Sequence, residues 1–304
     1  MLKSVLITGA NAGLGKESAR QLALQEGMER VYLGCRNEAK AKVAKAELEA
    51  STGKSIFDIV ILDVSKLDTV RTTVASLKEP VDALVMNAGG PGGANFHEKT
   101  SNGVTRMFAI NVLGHVVLAE ELLKAKKLTK VAIYSGSEAA RGIKEMGMKA
   151  PTLQTSSVDE FASIADGSFF GEVSDSMVPY GPIKYMGALW MSSLARKYPN
   201  VRFVTMSPGA TSGTNIAKSG PLPQRIMAKV AFAIMRMFGK AHSVEVGAKR
   251  YVDALIDDTY KTGLFYASQS GITGPVSDQG TMFAPLYNQE YQENAYQAIH
   301  RFIQ

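Results

Sequence analysis

The fold is decided by a glycine-rich stretch, TGANAGLG at residues 8–15, which follows the apolar run at residues 5–8 and opens a helical pattern. Glycine permits positive φ and lets the backbone approach a pyrophosphate, while the start of the helix offers free N–H groups and a favourable dipole. A tight structural turn uses the same residues, so the position between strand and helix is what favours phosphate binding. The residues that we expect to contact a dinucleotide here are Gly9, Asn11, Gly13, Leu14 and Gly15.

Outward from this turn, short β-branched apolar runs alternate with longer helical patterns. Continuous apolar runs are typical of parallel strands whose two faces are both covered by helices. Repeated βα units therefore predict an α/β fold with a doubly wound sheet and right-handed crossovers. The predicted strands span residues 5–8, 30–34, 57–62, 83–87, 131–135 and 201–206, and the clearest helices span 14–25, 38–50 and 103–126.

No repeat, low-complexity tract or Pro/Ser-rich linker divides the chain, so we expect a single domain over residues 1–304. Residues 138–178 show no clear strand and are rich in Gly, Ser and Asp, and we interpret them as an insertion that forms a wall of the site. The C-terminal aromatic residues stand at helical spacing and favour a packing helix over a ligand site. They are Tyr287, Tyr291, Tyr296 and Phe302.

The composition argues against several classes of protein. The net charge of +6 is modest for 304 residues, and no compact Lys/Arg run interleaved with aromatic residues predicts nucleic-acid binding. The single cysteine, Cys35, excludes an intramolecular disulfide framework and fits a reducing compartment. The sequence shows neither a signal-peptide pattern nor an apolar run long enough to span a bilayer, and we assign no metal ligands. A cytoplasmic location is therefore expected.

The glycine spacing, Thr8-Gly9-x-x-x-Gly13-x-Gly15, resembles the cofactor signature of the short-chain dehydrogenases/reductases. Later motifs agree with that family in order and spacing from residue 3 to about 215; they are Asp63-Val64, Asn87-Ala88-Gly89, Asn111, Tyr180-x-x-x-Lys184 and Pro208-Gly209. Within the family, Cys35-Arg36-Asn37 and the run NVLGH at 111–115 resemble the retinol dehydrogenase and protochlorophyllide reductase branch. The resemblance implies a Rossmann-type, mainly parallel sheet of seven strands with helices on both faces.

The end of the second strand indicates which nicotinamide cofactor binds. An acidic residue there would accept the ribose hydroxyls of NAD and repel a 2′-phosphate. This sequence has Gly34-Cys35-Arg36 instead, with no acid before Glu38. Arg36 can hold a phosphate through two hydrogen bonds while stacking on adenine, and an arginine that merely caps the strand end is the alternative. NADP(H) is the predicted cofactor.

The resemblance assigns the remaining cofactor contacts. It implies that Asp63, with Val64 beside it, meets the adenine amino group. It also implies that the segment after the fourth strand packs against the ribose and that the segment after the sixth strand turns under the nicotinamide carboxamide. The residues of these two segments are Asn87, Ala88 and Gly89, and Pro208, Gly209 and Thr211.

Tyr180 and Lys184 are four residues apart at the start of a predicted helix and so share one face. A phenol is a poor proton donor near neutral pH because its unperturbed pKa is about 10, and a nearby ammonium and the oxidised nicotinamide both favour phenolate. A Tyr-x-x-x-Lys spacing alone usually marks a surface pair. The glycine turn upstream and Pro208-Gly209 downstream favour the catalytic interpretation, and the resemblance implies that Lys184 also holds the nicotinamide ribose.

Two more polar residues complete the predicted site. Asn111 lies inside an apolar helical run, where its amide must find partners and can distort the helix by competing for backbone hydrogen bonds. A satisfied core asparagine is the alternative, whereas the resemblance implies that it holds a water connecting the lysine to solvent. The serine that orients the substrate lies in Tyr134-Ser135-Gly136-Ser137, whose register is ambiguous; we choose Ser137 and keep Ser135 as the alternate.

The predicted function is reversible hydride transfer between NADP(H) and a small-molecule carbonyl or alcohol, aided by approximation of the reactants in a dry cleft. The resemblance places the substrate loop after the sixth strand, so we expect residues 212–240 to form a lid. Its segment 222–240 has a wide apolar face, which suits a lipophilic substrate, and a basic stripe, which leaves peripheral membrane contact open. Packing on the domain or a partner subunit is the alternative, and both a homodimer and a homotetramer remain open.

Other functions also remain open. A catalytically silent NADP(H)-binding regulatory protein would share the cofactor site, although Tyr180, Lys184 and Asn111 are all present. The long insertion suggests protochlorophyllide-type ene reduction, but the only cysteine lies by the cofactor and leaves that chemistry without a thiol on the substrate side. A lyase or epimerase of the extended branch is disfavoured because it would need a larger C-terminal substrate domain.

Overall fold

The computed structural model describes residues 1–93, 95–211 and 241–303, and its centre is a β-sheet. The strands are β1 (Ser4–Thr8), β2 (Arg30–Cys35), β3 (Phe57–Ile61), β4 (Val81–Met86), β5 (Leu128–Ser135), β6 (Arg202–Met206), β7 (Phe265–Ser270) and β8 (Thr273–Asp278). Their spatial order is β3-β2-β1-β4-β5-β6-β7-β8. Strands β1 to β7 pair in parallel, and β8 pairs antiparallel with β7. The doubly wound, mainly parallel α/β fold is confirmed.

The described residues form helices on both faces of this sheet. They are α1 (Gly13–Ala23), α2 (Glu38–Thr52), α3 (Leu67–Ser76), α4 (Arg106–Phe108), which continues through a π-helical turn at Ala109–Leu113 into α5 (Gly114–Lys124), α6 (Val158–Asp166), α7 (Met177–Lys197), α8 (Val244–Ile256) and α9 (Gln289–His300). Short 3-10 helices lie at Glu138–Arg141, Lys144–Met146, Ser168–Phe170, Gln279–Thr281 and Ala284–Tyr287. No helix in the described ranges combines the length and apolarity that crossing a bilayer requires.

The core lies in two layers because successive strand residues point to opposite faces. In β1, Val5 and Ile7 pack with α1, α2 and α8, whereas Leu6 packs with α3, α5 and α7, and all three side chains are fully inaccessible to solvent. Both faces of the central strands are therefore covered, which explains their unbroken apolar runs.

The sheet contains one strand more than the seven that we expected. The additional strand, β8, contains Gly274 and Pro275, two residue types that are depleted in strands, and most of its residues are only partly buried. It forms the antiparallel edge of the sheet, where an apolar run and a full set of backbone partners are not required. The sequence signal for a strand is accordingly weak.

The insertion at 138–178 has no strand, as predicted, but α6 within it was missed. Ser157 caps the N-terminus of α6 by accepting a hydrogen bond from the N–H of Glu160 (3.3 Å), and the Glu160 carboxylate accepts from the N–H of Ser156 (2.7 Å). This Ser-x-x-Glu spacing is a helix start signal that could have predicted α6. Phe161 and Ile164 of α6 are buried in the core, so this part of the insertion packs against the domain.

The C-terminal packing helix is confirmed as α9, which lies against α6 and α7 with Ala295 and Ile299 fully buried. Tyr287 precedes it in a 3-10 turn and is exposed. The predicted lid at 212–240 lies outside the described residues. A single domain over 1–304 therefore stays a prediction.

Strand order reverses direction between β1 and β4, and in sheets of this kind ligands bind beyond the carboxyl ends of the strands at that point. Thr8 ends β1 and Asn87 follows β4. The fold therefore places the glycine-rich turn at the position where a ligand site is expected.

Candidate active site

A cleft of about 980 Å³ opens at the carboxyl ends of β1 to β6. Both candidate serines line it, and so do nearly all the residues that the sequence motifs selected. Those residues are Gly9, Asn11, Gly13, Leu14, Arg36, Asp63, Val64, Asn87, Ala88, Gly89, Asn111, Ser137, Tyr180, Lys184, Pro208, Gly209 and Thr211. Gly15 is the exception, because it does not line the cleft. A Cβ at this position would lie 2.5 Å from Gly9 O and 2.5 Å from Asn87 Nδ2, so the turn can pack closely over α1 only if residue 15 is glycine.

The glycine-rich turn is held against the end of β4 by Thr8. The Thr8 hydroxyl oxygen accepts hydrogen bonds from the N–H groups of Asn87 and Ala88, both at 2.9 Å. Asn87 Nδ2 in turn donates to Thr8 O at 2.9 Å. Gly9 (φ +68°) and Gly13 (φ +54°) adopt the left-handed region, which favours glycine. These hydrogen bonds fix the turn against the end of β4.

The start of α1 and the end of β2 offer groups that attract anions. Ala12, which precedes α1, has no polar side chain to cap the first N–H groups of the helix. Arg36 directly follows β2, is exposed, and lines the cleft. Cys35 before it is buried, and burial raises the pKa of its thiol to about 11. This end of the cleft fits a phosphorylated dinucleotide.

Asn111 occupies the π-helical turn between α4 and α5. Its Nδ2 donates to Met107 O (2.9 Å) and Gly90 O (2.8 Å), and its Oδ1 accepts from the N–H of Gly90 (3.0 Å). The amide therefore competes with the helix backbone, as predicted, and holds the glycine-rich segment after β4. The Asn111 carbonyl accepts from the hydroxyl of Tyr134 at 3.0 Å.

Tyr180 and Lys184 lie on one face of α7, as predicted from their spacing. Lys184 is 2% exposed, and its Nζ donates to Ser135 O at 2.9 Å and lies 5.7 Å from the ring centroid of Tyr180. Burial lowers the pKa of Lys184 to about 7. Burial raises the pKa of Tyr180 to about 12, against the opposing effect of a hydrogen bond with Ser137, while the charge of Glu138 raises it further.

The two candidate serines have different partners. The Ser137 hydroxyl acts on Tyr180 to lower the pKa of that phenol, and it accepts a hydrogen bond from the N–H of Ala139 at 3.2 Å. The Ser135 hydroxyl lies 2.6 Å from the hydroxyl of Tyr251 on α8. The structure therefore places the Ser137 side chain beside Tyr180, whereas Ser135 joins a neighbouring helix through its hydroxyl and Lys184 through its carbonyl.

The segment after β6 forms a compact turn beside these residues. Gly209 (φ +70°) donates its N–H to the Ser207 hydroxyl at 3.1 Å. The hydroxyl of Thr211 lies 3.2 Å from Pro208 O and 3.1 Å from Gly209 O. These contacts fix the turn that the sequence motif assigned to the nicotinamide end of the cofactor.

Sequence reasoning missed several residues that shape this site. One of them is His115, which is fully buried. Its Nε2 atom lies 3.0 Å from Thr8 Oγ1, and its Nδ1 atom lies 3.2 Å from Asn111 O. It stands four residues after Asn111 on the same helix, which is the signal that could have placed it there. Glu138 and Tyr251 were also missed, and neither gave a local signal because their partners lie far away in sequence.

The rest of the cleft is lined by apolar side chains together with Asn95 and Arg106. Residues from the loop after β4, the π-helical region, the insertion and the β7–β8 loop contribute to it. The apolar side chains that line the cleft on this side are Phe96, Met107, Ile110, Ile143, Met146, Met177 and Ile272. The insertion thus supplies Ile143 and Met146 to the wall, as the sequence led us to expect.

Residues 3–141 match the sequence profile of the short chain dehydrogenase family. The match supports membership of the short-chain dehydrogenase/reductase family. It is similar to protochlorophyllide reductase B of Oryza sativa subsp. japonica, with 31% identity over 229 residues, 70% of this chain and 56% of that protein. Retinol dehydrogenase 12 of Bos taurus is 36% identical over 127 residues, 40% of this chain and 38% of that protein. The predicted branch of the family is confirmed.

The chain spans only about half the length of protochlorophyllide reductase B, and less of the retinol dehydrogenase. A longer match is to short chain dehydrogenase yanD of Aspergillus niger, 28% identical over 97% of this chain and 89% of that protein. Among solved structures, L-sorbose reductase from Gluconobacter frateurii, complexed with NADPH and L-sorbose, has a TM-score of 0.62 at 19% identity. That likeness covers 90% of this chain and 97% of the other, and it shows the shared fold.

Proposed function

We propose that this chain is an NADP(H)-dependent oxidoreductase that transfers hydride between nicotinamide and the carbonyl or alcohol of a lipophilic small molecule. Tyr180 is its acid/base. The observation that carries the proposal is that Tyr180, Ser137 and Lys184 converge in the cleft that the glycine-rich turn and Arg36 also line. The NADPH complex of the L-sorbose reductase, which shares the fold, supports the choice of cofactor.

The cofactor assignment follows from the chemistry of the cleft. The left-handed Gly9 and Gly13 and the uncapped start of α1 suit a pyrophosphate. Arg36 suits a 2′-phosphate, and the residue before it is the neutral Cys35. We assign Asp63 and Val64 to the adenine, the segment Asn87-Ala88-Gly89 to the ribose, and Pro208, Gly209 and Thr211 to the nicotinamide carboxamide.

The bound cofactor supplies the hydride, and the protein supplies the proton and the orientation. Tyr180 holds a proton at Oη, and its raised pKa of about 12 keeps the phenol protonated at neutral pH, the form that can donate to a carbonyl oxygen. Ser137, which acts on the Tyr180 hydroxyl strongly enough to lower its pKa, is placed to orient the same oxygen. A carbonyl bound between the two hydroxyls would thus be polarised and protonated at one atom.

Lys184 and Asn111 complete the proton path in this proposal. With a pKa of about 7, Lys184 exchanges its proton readily near neutral pH, and in its ammonium form it favours the phenolate that Tyr180 becomes after donation. The Asn111 side chain donates hydrogen bonds to Gly90 O in the loop after β4 and to Met107 O in α4, and so holds these two segments together. We assign Lys184 to the nicotinamide ribose as well, and assign both residues to the return of the proton to Tyr180.

The substrate class follows from the apolar lining of the cleft. Met146 and Met177 supply flexible, polarisable surface, and Phe96 adds an aromatic ring. Such a wall suits a bulky lipophilic molecule better than a sugar or a small acid. The lid at 212–240, peripheral membrane contact, a homo-oligomeric state and a cytoplasmic location stay predictions.

The test is a titration of the purified protein with NADPH and NADH, followed by a screen of aldehydes, ketones, and sterol-like and retinoid-like alcohols. The absorbance of the reduced nicotinamide is the readout. We expect tighter binding of NADPH and its oxidation by at least one lipophilic carbonyl. NADPH binding without turnover across the panel would support a silent regulatory protein instead, and reduction of a C=C bond would support an ene reductase.

A further inference from the structure

A buried carboxylate directly follows Ser137. Glu138 begins the 3-10 helix after β5 and is 3% exposed. Its Oε2 accepts a hydrogen bond from the Ser207 hydroxyl at 2.6 Å, and its Oε1 accepts from the N–H (3.1 Å) and the hydroxyl (2.8 Å) of Ser268. The carboxylate therefore joins the end of β5 to the end of β6 and to β7.

Arg250 on α8 is the counter-ion of this carboxylate. Its Nη1 lies 3.7 Å from Glu138 Oε1 and donates to Ser207 O (3.3 Å) and to the Ser268 hydroxyl (3.2 Å). Its Nη2 donates to Gly274 O at 2.9 Å. Each serine hydroxyl thus donates its proton to the carboxylate and accepts a hydrogen bond from another group. Every hydroxyl proton in the network therefore has an acceptor.

The network reaches the turn at Gly209 and the start of α7 beside Tyr180. The Ser207 hydroxyl accepts from the N–H of Gly209, and a Cβ on Gly209 would lie 2.8 Å from Arg250 Nη1. On the other side, a Cβ on Gly181 would lie 2.7 Å from Ala139 O, so the 3-10 helix that Glu138 begins touches the residue next to Tyr180. Glu138 is therefore linked to both sides of the cleft.

We propose that Glu138, with Arg250 as its counter-ion, is a positioning residue that locks the Ser137 turn to the Ser207-Pro208-Gly209 turn. It would thereby set the distance between the Ser137 hydroxyl and the turn that we assign to the nicotinamide carboxamide. This inference rests on the proposed function for its kinetic consequence. The structural consequence, that the two turns are coupled through one carboxylate, is independent of any activity.

The experiment compares wild type with Glu138→Gln, which keeps the shape of the side chain, loses one acceptor and leaves Arg250 without its counter-ion. We expect faster amide hydrogen exchange in peptides that cover 205–211 and 265–270, and unchanged exchange in the turn at 8–15. We also expect kcat to fall by about tenfold to a hundredfold, because small misplacement of reacting groups is costly, while the NADPH Kd changes by less than about threefold. The matched control is Glu145→Gln, an exposed carboxylate of the same insertion, and it should change none of these readouts.

The pH profile separates positioning in the site from a purely structural role. The charge of Glu138 raises the pKa of Tyr180, so its removal lowers that pKa. The limb of the alcohol-oxidation profile that requires the phenolate should then move to lower pH in Glu138→Gln. If the loss of activity instead follows the fraction of unfolded protein and this limb does not move, Glu138 is only a structural residue and the proposal fails.

A second variant keeps the proposal testable if Glu138→Gln does not fold. Ser207→Ala removes only the hydroxyl that joins Glu138 to Gly209 and leaves the ion pair with Arg250. It should lower kcat and loosen 205–211 without affecting the Ser268 contacts. Unchanged hydrogen exchange of that segment in Ser207→Ala would overturn the inference. Altered exchange in a protein whose wild type turns over no substrate would uphold the coupling and refute the proposed function alone.

Discussion

The hydroxyl group of Ser135 lies 2.6 Å from the hydroxyl group of Tyr251, so this serine joins the end of β5 to α8. Ser137, two residues later, instead acts on Tyr180 and lowers the pKa of that phenol. The sequence left the choice between these serines open. The different partners give each serine a distinct, separately measurable role, which supports Ser137 as the residue that orients the substrate.

Alanine substitution of the two serines should therefore have opposite consequences. Ser137→Ala should lower kcat by about 10²-fold, as expected for loss of one oriented donor, with little change in the free energy of unfolding. Ser135→Ala should leave kcat within about threefold and lower the free energy of unfolding by about 1 kcal/mol, because the buried Tyr251 hydroxyl loses its partner. Steady-state kinetics measure kcat, and urea unfolding measures the free energy of unfolding, for both variants. A larger loss of kcat in Ser135→Ala than in Ser137→Ala would reverse our assignment.

Arg36 should determine the choice between the two nicotinamide cofactors. Arg36→Leu removes the cation that lines the cleft after β2 and should weaken NADPH binding by about tenfold to a hundredfold, as for a charge-assisted hydrogen bond. NADH binding should change by less than about threefold. Arg30→Leu is the matched control because it removes the same charge from the first residue of β2. Equal losses for both cofactors in Arg36→Leu would mean that this arginine does not recognise the 2′-phosphate.

His115 should make the free energy of unfolding depend on pH in the acidic range. Its Nδ1 faces the Asn111 carbonyl and must donate, so in the neutral ring Nε2 accepts from the Thr8 hydroxyl. Burial lowers the pKa of His115 to about 3 from an unfolded value of about 6.5. Between these values the unfolded chain binds a proton that the native state does not, so the native state loses stability as the pH falls.

The expected slope from this one group approaches about 1.4 kcal/mol per pH unit. Urea unfolding across the acidic range should therefore show a steeper decline for wild type than for His115→Gln. The control is His97→Gln at an exposed position, which should keep the wild-type slope. Parallel slopes in wild type and His115→Gln would show that His115 does not stay neutral in the native state.

The sequence was sufficient to predict the first six parallel strands and most of the cleft, because both depend on local patterns, whereas β7 was not located. Apolar runs mark strands that are covered on both faces, and the motif residues follow the carboxyl ends of those strands, where the topology brings them together. Gly15 was assigned to the cofactor because it belongs to the same motif. Its close packing against Gly9 and Asn87, which the sequence does not reveal, shows that Gly15 supports the turn from below.

What could not be predicted depends on contacts between distant residues. Glu138 and Ser268 are 130 positions apart, and no periodicity links the two. The edge strand β8 carries residue types that strands normally lack, since an edge makes fewer demands on its sequence. The start of α6, by contrast, carries a capping signal in Ser157 and Glu160 that a closer reading could have used.

The most direct test of the proposed function compares wild type with Tyr180→Phe, using NADPH and the carbonyl that wild type reduces best. The substitution removes one hydroxyl group and keeps the ring beside Lys184. We predict that kcat falls by about 10²- to 10⁴-fold, the range of acid/base contributions, while the NADPH Kd stays within about threefold. Unchanged turnover in Tyr180→Phe would contradict the assignment of Tyr180 as the proton donor.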